Sequence, residues 1–141
     1  MSDNHSKAVR SYNMSRIRSK DTKPEMAVRK YLFAHGFRYR LHNKKMPGKP
    51  DIVLSKYKTV IFVHGCFWHA HEGCRRSVIP KSNQSYWLQK IAGNVQRDAD
   101  NELLLKEGGW DIIIIWECEL KGRFKEDNLT EIVRQLKSGQ T

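Results

Sequence analysis

Acidic residues are scarce in this chain of 141 residues: 15 Asp and Glu stand against 26 Lys and Arg, a formal net charge of +11 with a pI near 9.8. Basic side chains displace counterions from phosphates, so the imbalance favours a polyanionic partner, nucleic acid first. A membrane surface, or a basic surface that serves solubility alone, remains open on charge alone. Cysteine is scarce too, at three residues, Cys66, Cys74 and Cys118. A small odd number excludes a disulfide framework in a reducing compartment and leaves metal ligation or buried thiols. No apolar run approaches the ~20 residues needed to cross a bilayer. The first residues, "MSDNHSKAVR", lack the apolar centre of a signal peptide, so the chain is expected inside the cell. Repeats, linkers and low-complexity blocks are also lacking, which points to one domain large enough to bury a core.

What is present reads as alternating helices and strands. Residues 6–20 are basic and suit a short helix. Thr22 and Glu25 have capping-box spacing, Pro24 suits a first helical turn and Gly36 a stop, with Val28, Tyr31, Leu32 and His35 on one face. "FRYRLHN" (37–43) alternates as a strand, and "DIVLS" and "TVIFV" form a hairpin across "KYK". Residues 85–107 have helical periodicity through Leu88, Ile91, Val95, Ala99 and Leu103, ending at Gly108-Gly109. "WDIIIIWE" reads as a buried strand, and a helix over 127–138, capped by Asp127, closes the chain. The order α-α-β-β-β-loop-α-β-α predicts a compact α/β domain.

Two stretches carry chemistry. In "VHGCFWHAHEGC" (63–74), Cys66, His71 and Cys74 have short-range ligand spacing. With Cys118 they would close a tetrahedral Cys₃His zinc site of the structural type, unless Cys118 is an ordinary buried thiol. Phe67 and Trp68 lie in the same loop, suited either to stacking on bases or to packing over the metal site. In "GKPDIVLS", Asp51 opens a strand after a proline, as a turn residue or as a metal ligand. The partner strand runs into His64, with His69 beyond. A carboxylate that binds magnesium beside histidines able to move protons suits phosphodiester hydrolysis.

"PxxPD" before a hairpin resembles the PD-(D/E)xK nuclease pattern. The segments "RSYNMSRIRSKDTKPE", "PGKPDIVL", "VIFVHGCFWH", "WLQKIAGNVQRD" and "GWDIIIIWEC", in order over roughly 5–122, resemble the very-short-patch-repair (Vsr) mismatch endonucleases. The resemblance implies a single nuclease domain over 1–141. Its core would be restriction-endonuclease-like: a central mixed sheet flanked by helices, a structural zinc loop, and a basic helical arm (1–20) on DNA. It implies magnesium-dependent nicking of one strand 5′ to the T of a T:G mismatch left by deamination of 5-methylcytosine. Asp51 and the main-chain carbonyl of Val63 would hold Mg²⁺. His69 would transfer protons, oriented by Glu25, while His64 contacts the scissile phosphate and Asp98 holds metal-bound water. Cys66, His71, Cys74 and Cys118 would ligate Zn²⁺. Phe67, Trp68 and Trp87 would wedge beside the mismatch, Met14 and Ile17 would approach from the other groove, and Lys90 and Asn94 would face bases. The implied partners are T:G-mismatched DNA, repair machinery and a cytosine-5 methyltransferase, with a monomer acting at the bacterial nucleoid and no membrane contact.

This chain departs from the family pattern at Val63, where threonine is common, and in "HAHEGC", one residue longer than usual. The second acid and the lysine of the general nuclease pattern are missing, as is usual in this family. The residues alone leave two alternatives: a zinc-stabilised DNA-binding module without activity, and a restriction-type nuclease that cuts both strands as a dimer.

Overall fold

The computed structural model describes residues 22–74 and 78–138. The expected arm over 1–20, with Met14 and Ile17, lies outside the described residues. Four strands form one sheet: β1 (Arg40–Leu41), β2 (Ile52–Leu54), β3 (Thr59–His64) and β4 (Asp111–Trp116). They lie in the order β1-β2-β3-β4, the first two pairings antiparallel and β3–β4 parallel. The helices are α1 (Lys23–Ala34), α2 (Gln84–Glu107) and α3 (Lys125–Ser138). Parallel neighbours need a long crossover, and the cysteine–histidine loop followed by α2 supplies it. This is the small α/β domain with a mixed sheet that the sequence predicts.

Strand side chains alternate between faces, so each sheet face builds its own core. Ile52, Leu54, Ile61 and Ile115 point to one side, against Val28 and Leu32 of α1 and Leu129, Ile132, Val133 and Leu136 of α3. Val53, Val60 and Phe62 point to the other, with Leu105 of α2 and the partly buried Ile112 and Ile114. His64 shares the parity of this second set, which places it on the α2 side.

α1 begins and ends as its sequence dictates. Thr22 Oγ1 accepts the Glu25 amide at 3.4 Å, and Pro24 lies in the first turn. Gly36 turns the chain at φ +86°, letting the Phe37 amide donate to the Leu32 carbonyl at 3.0 Å. His35, expected on the buried face, is exposed with its ring stacked on Tyr31.

Elsewhere the elements differ from expectation for identifiable reasons. The strand expected over 37–43 shrinks to two residues, because β1 is an outer strand and His42 turns to a left-handed φ of +48°. Ser55 leaves β2 for a 3₁₀ turn (Ser55–Tyr57) closed by Lys58 at φ +51°. The isoleucine strand is covered less than expected, only Ile115 being fully buried, because β4 is the other outer strand. α3 starts at Lys125, two residues before the expected cap.

The largest difference is in α2. Of the expected stripe only Ile91 is buried, while Leu88, Val95 and Leu103 are 51%, 42% and 60% exposed. The face turned to the sheet carries Ile91, Asn94, Asp98, Asn101 and Leu105 instead. The helical period is present, but polar side chains occupy much of the inward stripe, and they belong to the site.

Candidate active site

β3 and β4 end side by side, with His64 opposite Trp116. Both strands run outward there, and the site assembles in the space beyond their carboxyl ends, where open α/β sheets commonly bind ligands. The PGKP turn closes over the same region: Gly48, at φ +74°, lies so near Phe62 and Asn101 that an added Cβ would sit 3.1 Å and 3.2 Å from them.

Asp51 is anchored twice. Its carbonyl accepts the His42 amide at 3.1 Å, and its Oδ2 accepts the Val63 amide from across the hairpin at 2.8 Å. The second bond sets the Val63 backbone beside the carboxylate. Burial pushes the Asp51 carboxyl up to about 6 against the lowering effect of that hydrogen bond, and the nearby Glu25 charge adds to the rise. Glu25, from the first turn of α1, is 2% exposed. Its Oε2 accepts from His42 Nε2 at 2.9 Å and from Arg29 Nη1 at 3.2 Å. Ligand atoms of Glu25, His42 and Asp51 all lie within 4.8 Å of one another.

His69 is held by α2. Its Nδ1 lies 2.6 Å from Asp98 Oδ2, so the carboxylate accepts the Nδ1 proton and leaves Nε2 with its lone pair in the neutral ring. The described partner of His69 is thus Asp98, where Glu25 is the residue expected to orient it. Asp98 points inward from the sheet-facing stripe of α2, whereas Glu25 Oε2 accepts from His42 and Arg29. His64 stacks on His69 at 3.8 Å between ring centroids and 5° between planes. Burial, with His69 alongside, lowers the His64 imidazole to about 4. Its Nδ1 is buried with no hydrogen-bond partner among the described residues.

The four expected zinc ligands come together. Cys66, His71, Cys74 and Cys118 place their ligand atoms within 4.8 Å of one another, with Cys118 Sγ 3.4 Å from His71 Nδ1. A tetrahedral zinc with ordinary bond lengths separates sulfur from nitrogen by about 3.5 Å, so this cluster has the right size. All three cysteines are free thiols. Burial pushes the Cys66 thiol up to about 12 and raises Cys118 as well, so an incoming metal would have to expel protons. Backbone turns shape the loop: the His71 amide donates to the Cys66 carbonyl at 3.0 Å, and the Cys66 amide to Glu117 Oε1 at 3.1 Å. The ring stacked on His71, at 4.2 Å, is Trp116 of β4.

Phe67 and Trp68 meet Trp87 of α2 in an edge-to-face cluster, with centroids 5.1 Å, 5.4 Å and 5.7 Å apart. All three are half-buried. Asn94 Nδ2 donates to the Trp68 carbonyl at 3.0 Å, and Arg97 donates to Asn94 Oδ1. Of the two residues expected to face bases, Lys90 is exposed and Asn94 bonds the aromatic loop. Beside His69 opens a cleft of about 430 Å³ lined by Lys44, Lys49, Asn94, Arg97 and Asp98 among others. Sequence reasoning missed His42, Lys44, Lys49, Arg97 and Trp116. The β1–β2 pairing brings His42, the β3–β4 pairing brings Trp116, and Arg97 comes from α2 beside Asn94, and no spacing pattern marks them.

The DNA mismatch endonuclease Vsr family model matches residues 2–76. Among curated proteins, the type II nicking enzyme V.NmeAIP of Neisseria meningitidis is 51% identical over 138 residues, covering 97% of this chain and 98% of that protein. The type II nicking enzyme V.XorIIP of Xanthomonas oryzae pv. oryzae is 49% identical over 120 residues, with 85% and 88% covered. The DNA mismatch endonuclease Vsr of Escherichia coli is 41% identical over 142 residues, with 99% and 90% covered. With a match at this level along nearly its whole length, the chain belongs to the Vsr family of DNA mismatch endonucleases.

Proposed function

We propose that this DNA-cleaving hydrolase nicks one strand 5′ to the T of a T:G mismatch left by deamination of 5-methylcytosine, and so starts very-short-patch repair. One observation carries the reading: a single short loop joins Phe67 and Trp68 to His69, which Asp98 holds at 2.6 Å beside a lysine- and arginine-lined cleft. The names of the relatives, mismatch endonuclease and nicking enzyme, agree with cutting one strand.

Asp51 and the Val63 main-chain carbonyl would hold Mg²⁺; the burial of Asp51 and its Val63 bond suit a hard, oxygen-seeking cation. When bound, the ion would supply neutralisation of charge on the phosphate and the leaving oxygen. His69 Nε2 takes the proton of the attacking water, while Asp98 fixes the tautomer and offsets the imidazolium charge. His64, neutral at pH 7, offers an N–H to the scissile phosphate. Cys66, His71, Cys74 and Cys118 would hold a structural Zn²⁺ that pins the loop to the end of β4. Phe67, Trp68 and Trp87 enter the base stack, and Lys90 and Asn94 approach base edges once Asn94 releases the Trp68 carbonyl. Unstacking costs a few kcal/mol per step and least at a mispaired one, so recognition draws partly on deformability. A mismatch is asymmetric and suits a monomer on nucleoid DNA, working beside a cytosine-5 methyltransferase whose product creates the lesion.

The test is strand scission on an end-labelled duplex with one central T:G pair, in varied flanks with magnesium. The proposal predicts one nick 5′ to the mismatched T, lost in Asp51→Ala while binding persists. Mismatch binding by the parent without any nick would make it an inactive module, and cutting both strands of paired DNA would make it a restriction-type enzyme.

A further inference from the structure

We infer that His42 is a positioning residue: it fixes the Glu25 carboxylate against Asp51 so that the two acids face one divalent cation as a preassembled pair. The inference rests on the divalent-ion reading of Asp51. Glu25 and Asp51 come from different parts of the fold, Glu25 from the first turn of α1 and Asp51 from the residue before β2. A buried carboxylate must be compensated by donors, and Glu25 at 2% exposure receives Arg29 and His42, among the described residues, on the same oxygen. Arg29, four residues on in the same helix, fixes Glu25 only relative to α1. His42 does something different. Its Nε2 donates to Glu25 Oε2 at 2.9 Å while its own amide donates to the Asp51 carbonyl at 3.1 Å. One residue thereby grips the side chain of one acid and the backbone of the other.

The backbone supports this assignment. His42 takes φ +48°, a left-handed conformation uncommon for residues other than glycine, directly after Leu41 pairs with Ile52. Such conformations persist where the surroundings over-determine them, commonly at sites. The turn directs the imidazole back to α1 just as the strand pairing ends. Ligand atoms of the three residues lie within 4.8 Å of one another, a spacing at which a shift of one carboxylate changes what a cation meets. Residues that orient ligands in this way typically change metal affinity by about 10–100-fold when removed.

The test uses the full chain without DNA. Mn²⁺ affinity is measured from the paramagnetic signal of the free ion for the parent, D51A, H42G, H42N and H42Q, with thermal melting alongside. Glycine and asparagine both accept the left-handed backbone, so they remove the reach to Glu25 without adding steric strain. Glutamine keeps a donor of similar reach. H42G and H42N are expected to bind Mn²⁺ about tenfold or more weakly, and H42Q to restore most of the affinity. In nicking assays the magnesium needed for half-maximal rate rises while the rate at saturating magnesium changes little. Equal Mn²⁺ affinity in the parent, H42G and H42N overturns the role of His42. If D51A also binds as the parent does, the divalent-ion reading of Asp51 falls with it; if D51A alone loses the ion, only the His42 assignment falls.

Discussion

Asp51 and His64 are pushed in opposite directions by the same burial, and both are driven towards neutrality. The Asp51 carboxyl rises from its ordinary 3.8 to about 6, so the metal-free fold favours its protonated form. The associated stabilisation is complete below about pH 4, fades between about 4 and 6, and is absent above that. A shift of roughly two pH units corresponds to at most on the order of 3 kcal/mol. Asp51→Asn, which is uncharged throughout, is therefore expected to melt above the parent at pH 8 in magnesium-free buffer. The gain should shrink to little as the pH approaches 4, as a series of thermal melts would record. A parent that melts higher than the variant at pH 8 would mean that other contacts of the carboxylate outweigh its desolvation.

At the scale of elements, α2 shows how function rearranges an ordinary amphipathic helix. Leu105 is 1% exposed and packs with Val53, Val60 and Phe62, whereas Leu103 is 60% exposed. Leu105→Ala should cost about 2–5 kcal/mol, and Leu103→Ala within roughly 0.5 kcal/mol, as denaturant titration would show. The opposite order would restore the stripe that the sequence predicts. Helix boundaries were legible because Thr22, Pro24 and Gly36 act locally, and the hairpin was legible from β-branched runs. Which face of α2 points inward was not legible, because Asn94 and Asp98 turn to the sheet for the sake of His69 and Trp68. His42 was hidden for a related reason: its contacts to Glu25 and Asp51 span 17 and 9 residues and exist only once β1 pairs with β2. The cysteine–histidine loop was the most legible element, since three candidate ligands, Cys66, His71 and Cys74, fall within nine residues. Its predicted dependence on metal is direct. Stripping zinc with a chelator should lower the melting temperature and alter the near-ultraviolet dichroism of the tryptophans around it, and re-adding zinc should reverse both. A chelator without effect on either would remove zinc from the account.

The whole molecule carries +11, and the charge is not idle at the site. Lys44, Lys49 and Arg97 line the cleft beside His69. If they contact phosphates, replacing each by glutamine should lower DNA affinity for matched and mismatched duplexes alike. Each loss should flatten the dependence of log affinity on log salt by about one contact's share, a slope change near 0.9. An unchanged slope in all three would place the backbone elsewhere on the surface.

In the proposed mechanism one loop ties recognition of the mispair to proton transfer by His69. The most direct test is single-turnover nicking of a T:G duplex and its T:A counterpart, with duplex binding measured in parallel, for the parent, His69→Ala and Trp68→Ala. The parent is expected to nick T:G alone. His69→Ala should keep its preference in binding with nicking slowed by about 10²–10⁴-fold, and Trp68→Ala should lose the binding preference itself. Near-parent nicking by His69→Ala, or an undiminished T:G preference in Trp68→Ala, would contradict this mechanism.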